Sequence, residues 1–121
     1  MNLTVTLDTP HSARLIVAGE LDFVAAPQLL ATASQVLREN DSLGHLHLDF
    51  ADLTLCDSAG LATLVLIERR CTESRVRLHL DRTTRQLERI LDVTGLREHF
   101  AAAASAQPEP RADGNQDETV G

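Results

Sequence analysis

An aspartate and a serine stand side by side where an apolar strand gives way to a helix. Residues 53–67 read LTLCDSAGLATLVLI, so Asp57 and Ser58 fall at the helix start. Unpaired backbone N–H groups and the positive end of the helix dipole meet there, and both favour an oxyanion or a phosphate. Gly60 leaves room for another molecule's backbone to approach. The pattern indicates an anion or partner site, and the alternative is that Asp57 or Ser58 only caps the helix.

The helix that follows is apolar on every side. Between Ala59 and Ile67 only Gly60 and Thr63 interrupt the apolar run. A helix that rests on one face of a sheet needs only a single apolar stripe. The surplus apolar residues therefore either meet neighbouring helices or stay exposed as a docking patch beside Ser58. The sequence leaves both arrangements open.

Two enzymatic interpretations of this turn fail on the residues present. A nucleophile elbow requires G-x-S-x-G, but Leu55, Cys56 and Asp57 precede Ser58, so the first glycine is missing. None of the five histidines comes with a supporting motif. A phosphate-accepting receiver domain needs an acidic cluster for Mg²⁺ and a lysine, whereas Asp8 stands alone after the first strand and the chain contains no Lys. We expect that the protein is not an enzyme.

Composition narrows the class of protein further. The 121 residues carry a net charge of −7, the wrong sign for a nucleic-acid backbone binder, and only three residues are aromatic, all Phe. No apolar run approaches the length of a membrane span, and the first residues alternate like a strand, unlike a signal peptide. We expect a cytoplasmic protein that has no cofactor. We also expect that it contacts neither nucleic acid nor a membrane.

The residues with metal-binding or redox chemistry form no recognisable site in the sequence. Cys56 and Cys71 are two separate thiols without metal-type spacing, and Cys56 is interpreted as a small buried hydrophobe. His45 and His47 share one face of a predicted strand, and His79 lies on another strand. A metal would need further ligands within reach, so no metal site is predicted.

Periodicity predicts strands alternating with helices in a single domain. In chain order the predicted elements are strands at 3–7 and 13–18, a helix at 27–39, strands at 45–50 and 53–56, a helix at 58–73, a strand at 75–80, a helix at 83–93 and a short element at 96–103. Gly95 is the predicted end of the last long helix. The fold class is α/β, with a mixed sheet of four to five strands layered with helices and the first two strands antiparallel. The domain covers residues 1–103, and the acidic, proline-containing residues 104–121 are predicted to be a disordered tail.

Several motifs in a fixed order resemble the STAS domain, and within it the bacterial anti-sigma factor antagonists. They are the Gly19-Glu20-Leu21-Asp22 turn followed by Pro27, the Leu48-Asp49-Phe50 strand, the Asp57-Ser58-Ala59-Gly60-Leu61 turn and the Leu91-Asp92-Val93-Thr94-Gly95-Leu96 segment. The resemblance covers the chain from about Leu3 to Phe100. Family members often carry a second serine where Ala59 stands, so Ser58 is the single obvious phosphate acceptor in this turn.

The resemblance implies a phosphorylation switch in a partner complex. The unmodified protein would bind an anti-sigma factor that is also a serine kinase, and so release the sigma factor for transcription. Phosphorylation of Ser58 would break the complex, and a serine phosphatase would restore it. The residues implied to contact the partner are Asp57, Ser58, Ala59, Gly60 and Leu61, with Asp22 if its turn lies near Ser58. The alternative is a STAS subunit with another duty, in a lipid-transport complex or a stressosome-like scaffold.

Overall fold

The computed structural model describes residues 1–106, in which a five-stranded mixed sheet is layered with four helices. In chain order the elements are β1 (Asn2–Thr9), β2 (Ser12–Leu21), α1 (Ala26–Glu39), β3 (His45–Asp49), β4 (Leu53–Cys56), α2 (Ser58–Glu73), β5 (Arg77–Asp81), α3 (Arg85–Thr94) and α4 (Leu96–Ala106). The predicted fold class is confirmed. Helix α4 extends three residues past the predicted domain end, and the predicted tail from residue 107 onward lies outside the described residues.

One long strand, β2, organises the sheet. It pairs antiparallel with β1, as predicted, and parallel with both β3 and β4 on its other side. Strand β3 pairs with the first half of β2 and β4 with its end, so the two short strands lie nearly in line. The chain turns between them, where the Gly19 amide donates to the Asp52 carbonyl at 3.0 Å. Strand β5 completes the sheet beside β3.

The core lies between one face of this sheet and helices α1 and α2. Alternate residues of β2 and β3 are fully buried on that face, namely Ala13, Leu15, Val17, Leu46 and Leu48. The predicted stripe of α1 lies against them, with Leu29, Ala33 and Val36 buried and Leu37 half-buried. At the end of α3, Gly95 adopts the left-handed conformation (φ +76°) that favours glycine and terminates the helix, as predicted.

The first strand departs from its prediction as a half-buried strand. Leu3, Val5 and Leu7 lie opposite Val17, Leu15 and Ala13 in the register, on the face that the helices cover. Only Leu3 is half-buried, whereas Val5 and Leu7 are exposed. Strand β1 is the edge of the sheet, and α1 packs on α2 and β2, so the helical layer stops short of it.

Candidate functional site

Two turns meet at the carboxyl ends of the parallel strands β2 and β4. Leu21 and Cys56 are register partners, so the residues that follow them, Asp22 and Asp57, leave the same edge of the sheet. The Asp57 amide donates to the Leu21 carbonyl at 3.2 Å and extends the pairing by one bond. Open α/β sheets commonly bind their ligands at such an edge. The sequence-predicted neighbourhood of the two turns is thus present in the structure.

Asp57 links the two turns with its side chain. As the N-cap of α2 it is extended (φ −99°), and its Oδ1 accepts a hydrogen bond from the Gly60 amide at 2.9 Å. Its other oxygen, Oδ2, accepts from the Phe23 amide at 3.1 Å, across to the β2–α1 turn. The capping interpretation is therefore correct for Asp57. The same carboxylate also fixes the position of the neighbouring turn.

Ser58 is the first residue of α2 and is exposed. Its hydroxyl makes no hydrogen bond within residues 1–106. Capping of the helix falls to Asp57, which leaves the Ser58 oxygen free to react or to contact a partner. A phosphoryl group on this oxygen would lie at the positive end of the α2 dipole and beside the Asp57 carboxylate.

Asp22 lies in the turn that Asp57 holds, but its side chain serves that turn itself. Its Oδ1 accepts from the Val24 amide at 3.1 Å and from the Ala25 amide at 3.0 Å. Its backbone carbonyl accepts from the Ala26 amide at 2.8 Å, at the start of α1. The structure thus brings Asp22 to the site edge through its loop, with its carboxylate engaged in shaping the loop.

Gly60 and Leu61 are structural residues of the site, and our interpretation of Gly60 was wrong. A Cβ atom at Gly60 would lie 2.4 Å from the Leu21 carbonyl oxygen and 2.7 Å from its side chain. The space beside Gly60 is therefore filled by β2 and is not open to another molecule. Leu61 is buried in the core. Of the five motif residues, Ser58 and half-buried Asp57 and Ala59 remain available at the surface.

Sequence reasoning missed two exposed apolar side chains beside this motif. Phe23 and Val24 are 77% and 81% exposed, although both are large and apolar. The hydrogen bond from the Phe23 amide to Asp57 places them next to the start of α2. Further along α2, Ala62 and Leu66 are exposed one and two turns after Ser58. The apolar residues of α2 are therefore of two kinds, since Leu64 and Ile67 are buried in the core while Ala62 and Leu66 face the surface.

Both thiols of the chain are buried, which disfavours the reactive thiolate form. Burial raises the pKa of the Cys56 thiol to about 11, and the neighbouring Asp57 carboxylate adds to the effect. Burial raises the pKa of Cys71 to about 12, with a contribution from Glu68. The interpretation of Cys56 as a small buried hydrophobe agrees with this burial.

The three strand histidines, which the sequence left apart, stack on the sheet face away from α1 and α2. The rings of His47 and His79 lie 4.3 Å apart, and those of His45 and His79 lie 5.2 Å apart. The His45 Nδ1 and His79 Nε2 atoms are 3.0 Å apart, and His47 Nδ1 lies 2.8 Å from an Asp81 oxygen. Burial and the two neighbouring imidazoles lower the pKa of His79 to about 4. Within residues 1–106 no group of three or more potential ligands is placed to hold a metal ion.

Comparisons with known proteins agree with this architecture. The family described as "Mlab, STAS domain" matches residues 6–102. An anti-sigma factor antagonist from Mycobacterium paratuberculosis superposes with a TM-score of 0.70 at 23% identity, covering 88% of this chain and 92% of that one. The phosphorylated form of the Bacillus cell fate determinant SpoIIAA gives a TM-score of 0.65 at 20% identity, covering 80% and 86%. A sulfate transporter family protein from Wolinella succinogenes gives 0.65 at 18% identity, covering 78% and 75%.

Two further findings bear on the class of protein. The sequence has no significant match among curated proteins. No helix within residues 1–106 is long and apolar enough to cross a membrane. Since the family match spans most of the length over which the sheet and helices are described, the chain belongs to the STAS-domain family.

Proposed function

We propose that the protein is an anti-sigma factor antagonist whose binding to an anti-sigma factor serine kinase is switched off by phosphorylation of Ser58. The observation that carries this proposal is the exposed Ser58 hydroxyl at the start of α2, beside the exposed side chains of Phe23 and Val24. An exposed apolar surface marks an interaction site, and a phosphate added beside it disrupts such a contact. The antagonist and the phosphorylated SpoIIAA among the similar structures support the same role.

The chemistry of the site favours a change in binding over a change in fold. Phosphorylation adds about 1.5 to 2 negative charges and three acceptor oxygens. The start of α2 tolerates this charge, because free N–H groups and the helix dipole face it. In the complex, the same charge would lie beside Asp57, on the surface that also carries the exposed Phe23 and Val24 side chains, where a partner has to exclude water. Phosphate should therefore weaken the complex and leave the monomer folded.

Pull-down from native lysate with Ser58 variants tests the proposal. Wild type and Ser58→Ala should capture the same kinase-fold protein, and Ser58→Asp should capture less of it. Incubation of the captured kinase with labelled ATP should label wild type and leave Ser58→Ala unlabelled. Equal capture of the kinase by wild type and Ser58→Asp would count against the switch.

A second pair of variants tests the apolar contact. Phe23→Ala should reduce capture, while Val93→Ala should not, although Val93 on α3 is equally exposed at 80%. Both variants should melt like wild type, since neither side chain is in the core. If both variants bind as well as wild type, the surface beside Ser58 is not the contact.

A STAS subunit of a larger assembly is the second candidate. It is favoured by the Wolinella succinogenes protein, which belongs to a sulfate transporter family. In that role the chain would bind its complex with Ser58 unmodified at all times, and labelled ATP would leave Ser58 unlabelled. The two candidates therefore give opposite results in the same labelling experiment.

A further inference from the structure

Strand β1 leaves one whole edge of the sheet without a neighbouring strand in the described part of the chain. It is eight residues long and pairs only with β2. Its outer backbone N–H and C=O groups form a row that can pair with another strand. Val5 is 43% exposed and Leu7 is 55% exposed, on the helical side of the sheet. An open hydrogen-bonding edge and an uncovered apolar row thus coincide.

The middle of this edge lacks the features that normally prevent pairing. Edge strands are commonly protected by lysine, proline, inward charges or bulges. Residues 2–7 read NLTVTL and contain no charge and no proline. The irregularity in the β1–β2 register falls between Leu7 and Thr9, and the first charged side chain is Asp8. The protective features are therefore confined to one end of the strand.

We propose that β1 pairs antiparallel with β1 of a second copy of this chain, centred on Val5. In this register Val5 faces Val5, and Leu3 faces Leu7 of the second copy. Directly opposed residues of an antiparallel pair share one face, so the apolar rows of both copies meet on the helical side. A slip by one residue would turn the second copy over, so that Val5 would face a threonine and the two apolar rows would lie on opposite faces of the joined sheet.

The opposite face of the same register is also self-complementary. Thr4 would face Thr6 of the second copy, and Asn2 would face Asp8. The amide of Asn2 can donate hydrogen bonds to the Asp8 carboxylate, whose present ion pair with Arg14 is long at 3.6 Å. No like charges oppose each other along the paired residues. The net charge of −7 on each copy resists association at a distance, so added salt should strengthen the dimer.

Single cysteines introduced into the full chain test both the pairing and its register. Val5→Cys should form an intermolecular disulfide, because the two Cα atoms at the symmetry centre lie about 4.5 to 5.5 Å apart in such a ladder. Leu3→Cys or Leu7→Cys, tested singly, should not form an intermolecular disulfide. In the proposed register the two equivalent cysteines of the dimer lie four residues apart along the strand, which is about 13 Å. A mixture of those two variants should cross-link. Val93→Cys on α3 is the exposed control, and the native Cys56 and Cys71 are buried.

Sedimentation of the full chain over a range of concentrations supplies a second measurement. Wild type should dimerise with rising concentration, and Val5→Asp should raise the dissociation constant about tenfold or more, because it opposes two carboxylates at the centre. Val93→Asp should dimerise like wild type. A wild-type chain that stays monomeric, or a dimer that tolerates Val5→Asp, overturns the proposal. So does Leu3→Cys cross-linking alone as fast as Val5→Cys, or Val5→Cys no faster than Val93→Cys.

Discussion

The side chain of Asp57 performs two separable tasks, and two substitutions should separate them. Asp57→Ala removes both the bond to the Gly60 amide and the bond to the Phe23 amide. Asp57→Ser keeps a capping oxygen for the Gly60 amide but is too short to reach Phe23 in the other turn. The difference between the two variants therefore measures the cap, and the loss in Asp57→Ser measures the link between the turns together with the interaction of the carboxylate with the helix dipole.

The magnitudes follow from the two bonds. Loss of an N-cap costs about 1 kcal/mol, and loss of one further hydrogen bond to a half-buried carboxylate costs about another 1 kcal/mol. The carboxylate also interacts with the dipole of α2, which adds about 0.5 kcal/mol. We expect Asp57→Ala to lower the free energy of unfolding by about 2 to 3 kcal/mol. Asp57→Ser should lower it by about 1 to 1.5 kcal/mol, since it loses the link and the charge.

Urea denaturation at neutral pH measures these losses, with equal m-values required for the comparison. Amide hydrogen exchange then locates them, because the Phe23 amide should exchange faster in both variants. Asp41→Ala is the control, since Asp41 is an exposed aspartate in the loop before β3. The reasoning fails if Asp57→Ser is as unstable as Asp57→Ala, or if the Phe23 amide exchanges at the wild-type rate in both.

Two further predictions concern packing and pH. Gly60→Ala should lower the free energy of unfolding, measured by urea denaturation, by about 2 kcal/mol or more, because the added Cβ would lie 2.4 Å from the Leu21 carbonyl oxygen. Helix propensity alone would favour alanine over glycine by about 1 kcal/mol. A stabilised variant would therefore contradict the close packing. The pKa of His79 is lowered to about 4 in the folded protein, so as the pH falls the unfolded chain protonates this histidine before the folded chain does. The contribution of neutral His79 to stability should therefore be complete above about pH 6.5 and be lost as the pH drops toward 4. Because His79 is only partly buried, the loss in the free energy of unfolding should be about 1 to 2 kcal/mol. His79→Gln should flatten the pH dependence of the urea midpoint, and the control Val93→Gln should leave that dependence unchanged.

The elements of this fold were predictable because each carries its own periodicity. Helix α2 begins and ends where the sequence predicts, since Asp57 is a strong N-cap and the apolar run continues for several turns. The pairing of the strands was only partly predictable. Nothing local in residues 45–56 indicates that β3 and β4 both pair with β2, because that arrangement depends on the length of β2.

The sequence predicted Asp57 and Ser58 as residues of the candidate site, but it did not predict the exposed apolar residues Phe23 and Val24 beside them. The contact between Asp57 and the Phe23 amide exists only because β2 and β4 end at the same edge of the sheet. The sequence nevertheless contained a local signal for these two residues. Phe23 and Val24 are two large apolar residues in a turn, outside the periodic stretch of either β2 or α1, so burial in the core did not account for them.

The motif from Asp57 to Leu61 combines residues that build the fold with one that does not. Gly60 and Leu61 are set into the core, and Asp57 holds two turns together, so each of the three contributes to the stability of the fold. The Ser58 side chain is exposed and its hydroxyl makes no hydrogen bond in the described part of the chain, so we expect the domain to fold without that hydroxyl. The glycine and the leucine of this turn therefore indicate the fold, whereas the fold does not account for the serine hydroxyl.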